Sequence, residues 1–166
     1  MTLLIAEAFG ALAVVLNFLG YRQSNVDRYL FISAFALLFL SAHFFMLDAM
    51  AAGVGTLLAG LRNFIAIKNR SKPVLFFFIG ANVFFLLYEW FVLNHDWNIF
   101  IAYASSLIFT VGSVVLRDVH VIRRTFLVAE SLGLIYAISV GSIFGTVFNI
   151  SNLVSILSTL KRTKHV

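Results

Sequence analysis

The residues best placed to do chemistry are the few polar ones set inside long apolar runs. Gly145, Asn149, Asn152, Ser155 and Thr159 recur at spacings of four, three, three and four, which puts them on one face of a helix. Such a stripe can wall a polar cavity, or it can serve helix packing through small residues and interhelical hydrogen bonds. Gly53, Thr56, Gly60 and Asn63 form a matching stripe upstream. Arg62 and Glu130 are the ionisable couple of the interior. Arg62 lies six residues before Lys68 and Glu130 eight after Ile122, so at 1.5 Å per residue both sit roughly 9–12 Å inside the same boundary. Equal depth permits a buried ion pair that gates a path or binds an anion; a purely structural pair, or an Arg62 that reaches back to a basic surface, fits the same spacing. His43 stands a turn from the far end of its run, with Tyr136 at the comparable place in a later one. Either a solute contact or a hydrogen-bonded interfacial residue suits it. Glu7 and Glu89 fall near that same end and are expected to be solvated, with an entrance as the alternative setting.

These residues do not add up to an enzyme. There is no HExxH, no P-loop, no close pair of carboxylates and no serine beside a histidine and an acid. The chain has no cysteine, which removes thiolate metal sites and thiol nucleophiles. Haem ligation between helices needs a second buried histidine, whereas His95, His120 and His165 fall in loops or the tail. Every lysine lies at one edge of the apolar runs, so none is set to form a Schiff base inside a span. No catalytic residue, metal or cofactor is expected.

The surroundings that must position the polar groups follow from composition. Of 166 residues, 61% are hydrophobic and 11% charged, against about half and about a quarter in a soluble domain. A domain this small exposes roughly a third of the surface of its unfolded chain, more than twelve basic and seven acidic residues can cover. The solvent is therefore lipid, which excludes nucleic-acid binding, a Rossmann domain and a soluble hydrolase. Polar punctuation divides the chain into seven apolar segments, about 3–20, 29–47, 49–67, 73–93, 97–116, 122–139 and 142–160. The first lacks a basic leader and a cleavage pattern, so it is expected to be a retained span. The breaks near Asp48 and at Gly141-Ser142 are weak, and periodicity alone allows longer merged helices there.

Charge decides the count. With seven spans one face receives Arg22, Arg28, Lys68, Arg70, Lys72, Arg117, Arg123, Arg124, Lys161, Arg162 and Lys164, eleven of the twelve basic residues, and the other carries Asp48 and Asp96 with no lysine or arginine. Deleting either weak turn scatters basic clusters over both faces. Because cytoplasmic loops collect lysine and arginine, the N-terminus is expected outside and the C-terminus in the cytoplasm. Trp90 and Trp97 flank the Asn94–Asp96 turn as an aromatic belt.

An odd number of spans invites a search for duplication. Leu4-Ile5-Ala6-Glu7-Ala8 resembles Phe100-Ile101-Ala102-Tyr103-Ala104; Asp27-Arg28 falls against Arg123-Arg124 and Ile67-Lys68 against Leu160-Lys161. Each copy runs span, basic loop, span, short turn, span, basic end. The expected architecture is an all-α membrane protein of two parallel three-helix bundles, residues 1–70 and 96–166, joined by an inverting linker helix within 71–95. Two registers remain open, one pairing Asn63 with Asn152 and one pairing Arg62 with Ser155.

Leu19-Gly20-Tyr21-Arg22-Gln23, Ala42-His43-Phe44 and Gly60-Leu61-Arg62-Asn63 resemble the YgjV-type bacterial inner-membrane proteins, over essentially the whole chain. That family is in turn similar to the SWEET, PQ-loop (MtN3-like) and PnuC-like proteins, and the resemblance implies triple-helix bundles enclosing a site for a small solute. PQ-loop proteins hinge at prolines, whereas the single proline here is Pro73, so Gly10, Gly20, Gly112 and Gly133 are the candidate bending points. The expected function is small-solute transport or facilitation through a cavity lined by Asn63, Asn149, Asn152, Tyr136 and His43, with Arg62 and Glu130 gating. A non-transporting membrane scaffold or assembly partner is the alternative. Membrane lipids and an unidentified small solute are the expected partners, and the apolar flanks leave room for a homodimer.

Overall fold

The computed structural model describes residues 2–21, 23, 25–116 and 119–162. Within them lie seven helices and no strand: α1 (Thr2–Tyr21), α2 (Val26–Met46), α3 (Met50–Ala66), α4 (Lys72–Phe91), α5 (Ile99–Val115), α6 (Val119–Ser139) and α7 (Ile143–Arg162). Arg22, Arg117, Lys164 and His165, and the side chains of His120, Thr159 and Arg162, fall outside what is described.

Local chemistry explains the boundaries. Asn25 opens α2 by accepting the Arg28 N–H on its side chain, an N-cap that occupies one of the orphan donors of a first turn. Pro73 sits within the first turn of α4, where its missing N–H costs nothing. The two weakly marked breaks are real, and they share one construction. At the end of α2, Asp48 N–H donates to Phe45 O and Ala49 N–H to Phe44 O; at the end of α6, Gly141 N–H donates to Ile138 O and Ser142 N–H to Ala137 O. Both are Schellman caps. Their pivots take left-handed backbone, φ 57° at Asp48 and 70° at Gly141, which an uninterrupted helix cannot accommodate.

Three helices, α1, α2 and α4, are long and apolar enough to cross a membrane. At 17 residues α3 and α5 reach about 26 Å against a hydrocarbon core of about 30 Å, the lower limit for a span. Helix α6 carries Arg123, Arg124 and Glu130 along an otherwise apolar length. Large apolar side chains face outward, among them Phe76, Phe77, Phe84 and Phe91 on α4, while Ala6, Ala13, Ala34, Ala36, Ala129 and Ala137 are fully buried. Lipid is as apolar as leucine, so helices gain by close backbone approach through small residues rather than by hiding large ones.

Helix α1 packs on α2, α2 on α3, α3 on α5, α5 on α6, α6 on α7, and α7 returns to α1, closing a circuit of six; α4 lies outside it against α3 and α5. Helices α1 and α3 do not pack extensively on each other, nor do α5 and α7. Among the described residues α1–α3 and α5–α7 each pack in chain order as an arc. The connections after α1, α3 and α5 gather at one end with Arg28, Lys68, Arg70, Lys72, Arg123 and Arg124, here called the basic end. Asp48 and Asp96 mark the opposite end.

Gly10, Gly112 and Gly133 sit inside continuous helices at close interhelical contacts. A Cβ on Gly10 would stand 2.6 Å from Phe144 Cβ, one on Gly112 2.9 Å from the Phe126 ring and one on Gly133 2.6 Å from Asn149 Oδ1.

Candidate functional site

A cavity of about 310 Å³ is lined by all six helices of the circuit and by none of α4. Asn63, Asn149, Asn152 and Tyr136 line it, as do Arg62 and Glu130. Six of the seven residues expected from the sequence are therefore brought together.

His43 is the exception. It is 0% exposed and does not line the cavity. Its Nδ1 lies 2.7 Å from Ala6 O and its Nε2 2.8 Å from Ser142 Oγ. A carbonyl only accepts, so Nδ1–H donates to Ala6 and Nε2 accepts the Ser142 hydroxyl proton, fixing the tautomer. Ser142 Oγ in turn accepts the Gly145 N–H at 2.9 Å. His43 is a strut tying α2 to α1 and to the start of α7, with neither ring nitrogen left for a solute.

The α7 stripe carries two roles. Gly145 admits the Phe44 ring, whose tip lies 2.6 Å from where a Cβ would be. Asn149 donates to Gly145 O at 2.7 Å and turns its oxygen onto Gly133. Asn152 is the centre of a relay: Asn17 Nδ2 donates to Asn152 Oδ1, and Asn152 Nδ2 donates to Glu130 Oε1, both at 2.7 Å. The α3 stripe likewise divides. Gly53 and Gly60 meet Phe45 and Ala34 of α2, whereas Thr56 and Asn63 line the cavity; Asn63 donates to Ser33 Oγ at 3.2 Å.

Arg62 and Glu130 do not pair. Arg62 Nη1 donates to the Thr110 hydroxyl at 3.0 Å, and Glu130 accepts from Asn152. The Nε of Arg62 is buried without a partner. Equal depth placed the two residues at one level of the cavity, but depth carries no angular information. Arg62 faces α5 across one seam of the circuit, and Glu130 is drawn toward the other by Asn152.

Glu89 also departs from expectation. It is 0% exposed rather than solvated, accepting from the Tyr103 hydroxyl on α5 and bonded to His95 Nδ1 at 2.9 Å. This cluster clips α4 to α5 near the acidic end. Asn17 was missed altogether. It sits in the first apolar run, and the rule that singles out Asn63 applies to it equally. No group of three or more His, Asp or Glu side chains able to hold a metal occurs among the described residues.

The model of a bacterial inner membrane protein family, Imp-YgjV, matches residues 4–165. The chain belongs to the Imp-YgjV family. It is accordingly a bacterial inner membrane protein, in keeping with its apolar helices. No curated protein and no solved structure matches this Imp-YgjV chain.

Proposed function

We propose that this Imp-YgjV protein is a small-solute transporter or facilitator whose path is the cavity between two arcs, α1–α3 and α5–α7. The observation that carries the reading is the cavity itself: both arcs line it, and each contributes buried polar side chains, Asn17, Arg62 and Asn63 from one and Glu130, Asn149 and Asn152 from the other. Polar groups inside a membrane are costly, and ionisable ones facing a cavity mark solute or ion pathways. In this reading the arcs are parallel repeats, α4 is the linker that lets both run the same way up, and the basic end faces the cytoplasm. The arrangement resembles that of SWEET and PQ-loop proteins. The matching caps at Asp48 and Gly141 favour the register that sets Arg62 opposite Ser155. Transport proceeds by rocking one arc on the other, as facilitated diffusion, since no motif for sodium or ATP coupling is visible.

The test is uptake into proteoliposomes of labelled glucose, lactate, choline and glycine by the unaltered chain and by Asn152→Ala. Saturable uptake of at least one solute, lost in a folded Asn152→Ala, supports the reading. Uptake no greater than in protein-free vesicles for every solute contradicts it.

A further inference from the structure

Two ionisable groups of opposite kind are buried in one cavity without meeting each other. Arg62, 5% exposed, spends one nitrogen on the neutral Thr110 hydroxyl while its Nε has no partner. Glu130, also 5% exposed, is held at one oxygen by Asn152. Neither takes part in an ion pair among the described residues. A guanidinium offers five donors in a planar fork suited to carboxylate or phosphate, and it does not deprotonate to escape burial. Left alone in a low dielectric, a charge is costly. The relay from Asn17 through Asn152 fixes Glu130 by way of α7 and α1, while Thr110 holds Arg62 toward α5. The chain thus keeps the two groups separate in the one space both line.

Resting on the transport reading of this cavity, we infer that its solute is a small zwitterion, with an oxyanion on Arg62 and an ammonium on Glu130. An acid alone leaves the carboxyl unanswered, an amine alone leaves the guanidinium bare, and a neutral polyol compensates neither. A zwitterion meets both groups and brings no net charge into a low-dielectric site. The volume of about 310 Å³ lies at the lower end of small-molecule pockets, about 300–1,000 Å³. That size suits a compact amino acid rather than a nucleotide.

The purified full chain is titrated, with thermal shift and isothermal calorimetry as readouts, against the ω-amino acids from glycine to 6-aminohexanoate. Alkanoic acids and alkylamines of the same lengths, inorganic phosphate and glucose complete the panel. One chain length is expected to bind at least about tenfold more tightly than its acid or amine counterpart, and that length measures the separation of the two groups. Arg62→Gln is expected to weaken the preferred zwitterion at least about thirtyfold. Glu130→Gln is expected to turn the preference toward the plain acid. The unaltered chain alone decides the matter even where a variant does not fold. An acid or phosphate bound as tightly as the zwitterion, or no binding by any ω-amino acid, overturns the inference. Uptake of glucose without zwitterion binding sinks this inference and leaves transport standing; zwitterion binding without uptake supports the site and contradicts transport.

Discussion

At the seam between α1 and α7 the buried polar groups are answered at both ends, whereas at the seam between α3 and α5 a buried cation is left with a bare nitrogen. The first seam holds Gly10 against Phe144, His43 between Ala6 and Ser142 near the acidic end, and Asn17 on Asn152 toward the basic end. The second holds Gly55 beside Ser106 in ordinary contact and Arg62 on Thr110, with Arg62 Nε unpartnered. Helix α4 backs the second seam and not the first. Satisfied, close-packed contacts resist separation, and an unsatisfied charge is stabilised by whatever can pair with it. On the proposed transport reading the α1·α7 seam is the structural one, and the α3·α5 seam is where a solute would alter the balance.

Substitutions in the two seams separate these roles. His43→Ala is expected to destabilise the chain by about 3 kcal/mol, because it leaves the Ser142 hydroxyl proton without its acceptor, removes the tie to Ala6 O and opens a cavity in the interior. Thermal unfolding in detergent measures the loss, and an unchanged midpoint would break the distinction between the seams. Gly10→Ala drives a Cβ to 2.6 Å from Phe144 Cβ, an overpacking expected to cost about 2 kcal/mol; a neutral effect would mean that α1 and α7 can part freely. Asn17→Ala leaves Asn152 Oδ1 unpaired and is expected to cost about 1 kcal/mol, the scale of one interhelical hydrogen bond in a membrane. The same unfolding assay checks it, with a double-mutant cycle against Asn152→Ala isolating the contact. Arg62→Gln has the smallest expected effect on stability, within about 1 kcal/mol of zero, since it removes an incompletely paired buried charge. It is expected to weaken zwitterion binding at least about thirtyfold all the same. A large loss of stability in Arg62→Gln would make the α3·α5 seam structural as well.

Much of the scaffold was legible because punctuation and charge act locally. The helices fall within three residues of the apolar segments at each end, and the turns at Asp48 and Gly141, faint in hydropathy, were forced by the placement of lysine and arginine. The polar lining was legible because an asparagine inside an apolar run has few neutral explanations. Partners were not. His43 is defined by Ala6 and Ser142, Glu89 by Tyr103 and His95, and Asn152 by Asn17, 135 residues away. Helical spacing gives the face of each residue and its depth, but the angular order of helices around a circuit comes from packing between distant segments. For that reason Arg62 and Glu130 were set opposite one another, whereas Arg62 bonds Thr110 and Glu130 bonds Asn152.

On the proposed transport reading, the arcs move at the α3·α5 seam to pass a solute. This movement can be tested in this chain without background, because the chain has no cysteine. A Cβ on Gly55 stands 3.4 Å from Ser106 Cβ, close to the separation of about 3.5–4.5 Å that a disulfide bridges. Uptake by proteoliposomes holding Gly55→Cys/Ser106→Cys is measured oxidised and then reduced, with the extent of cross-linking read by mass. Uptake is expected to fall to the protein-free level when the seam is bridged and to return on reduction. Equal uptake in both states with the bridge fully formed would contradict it.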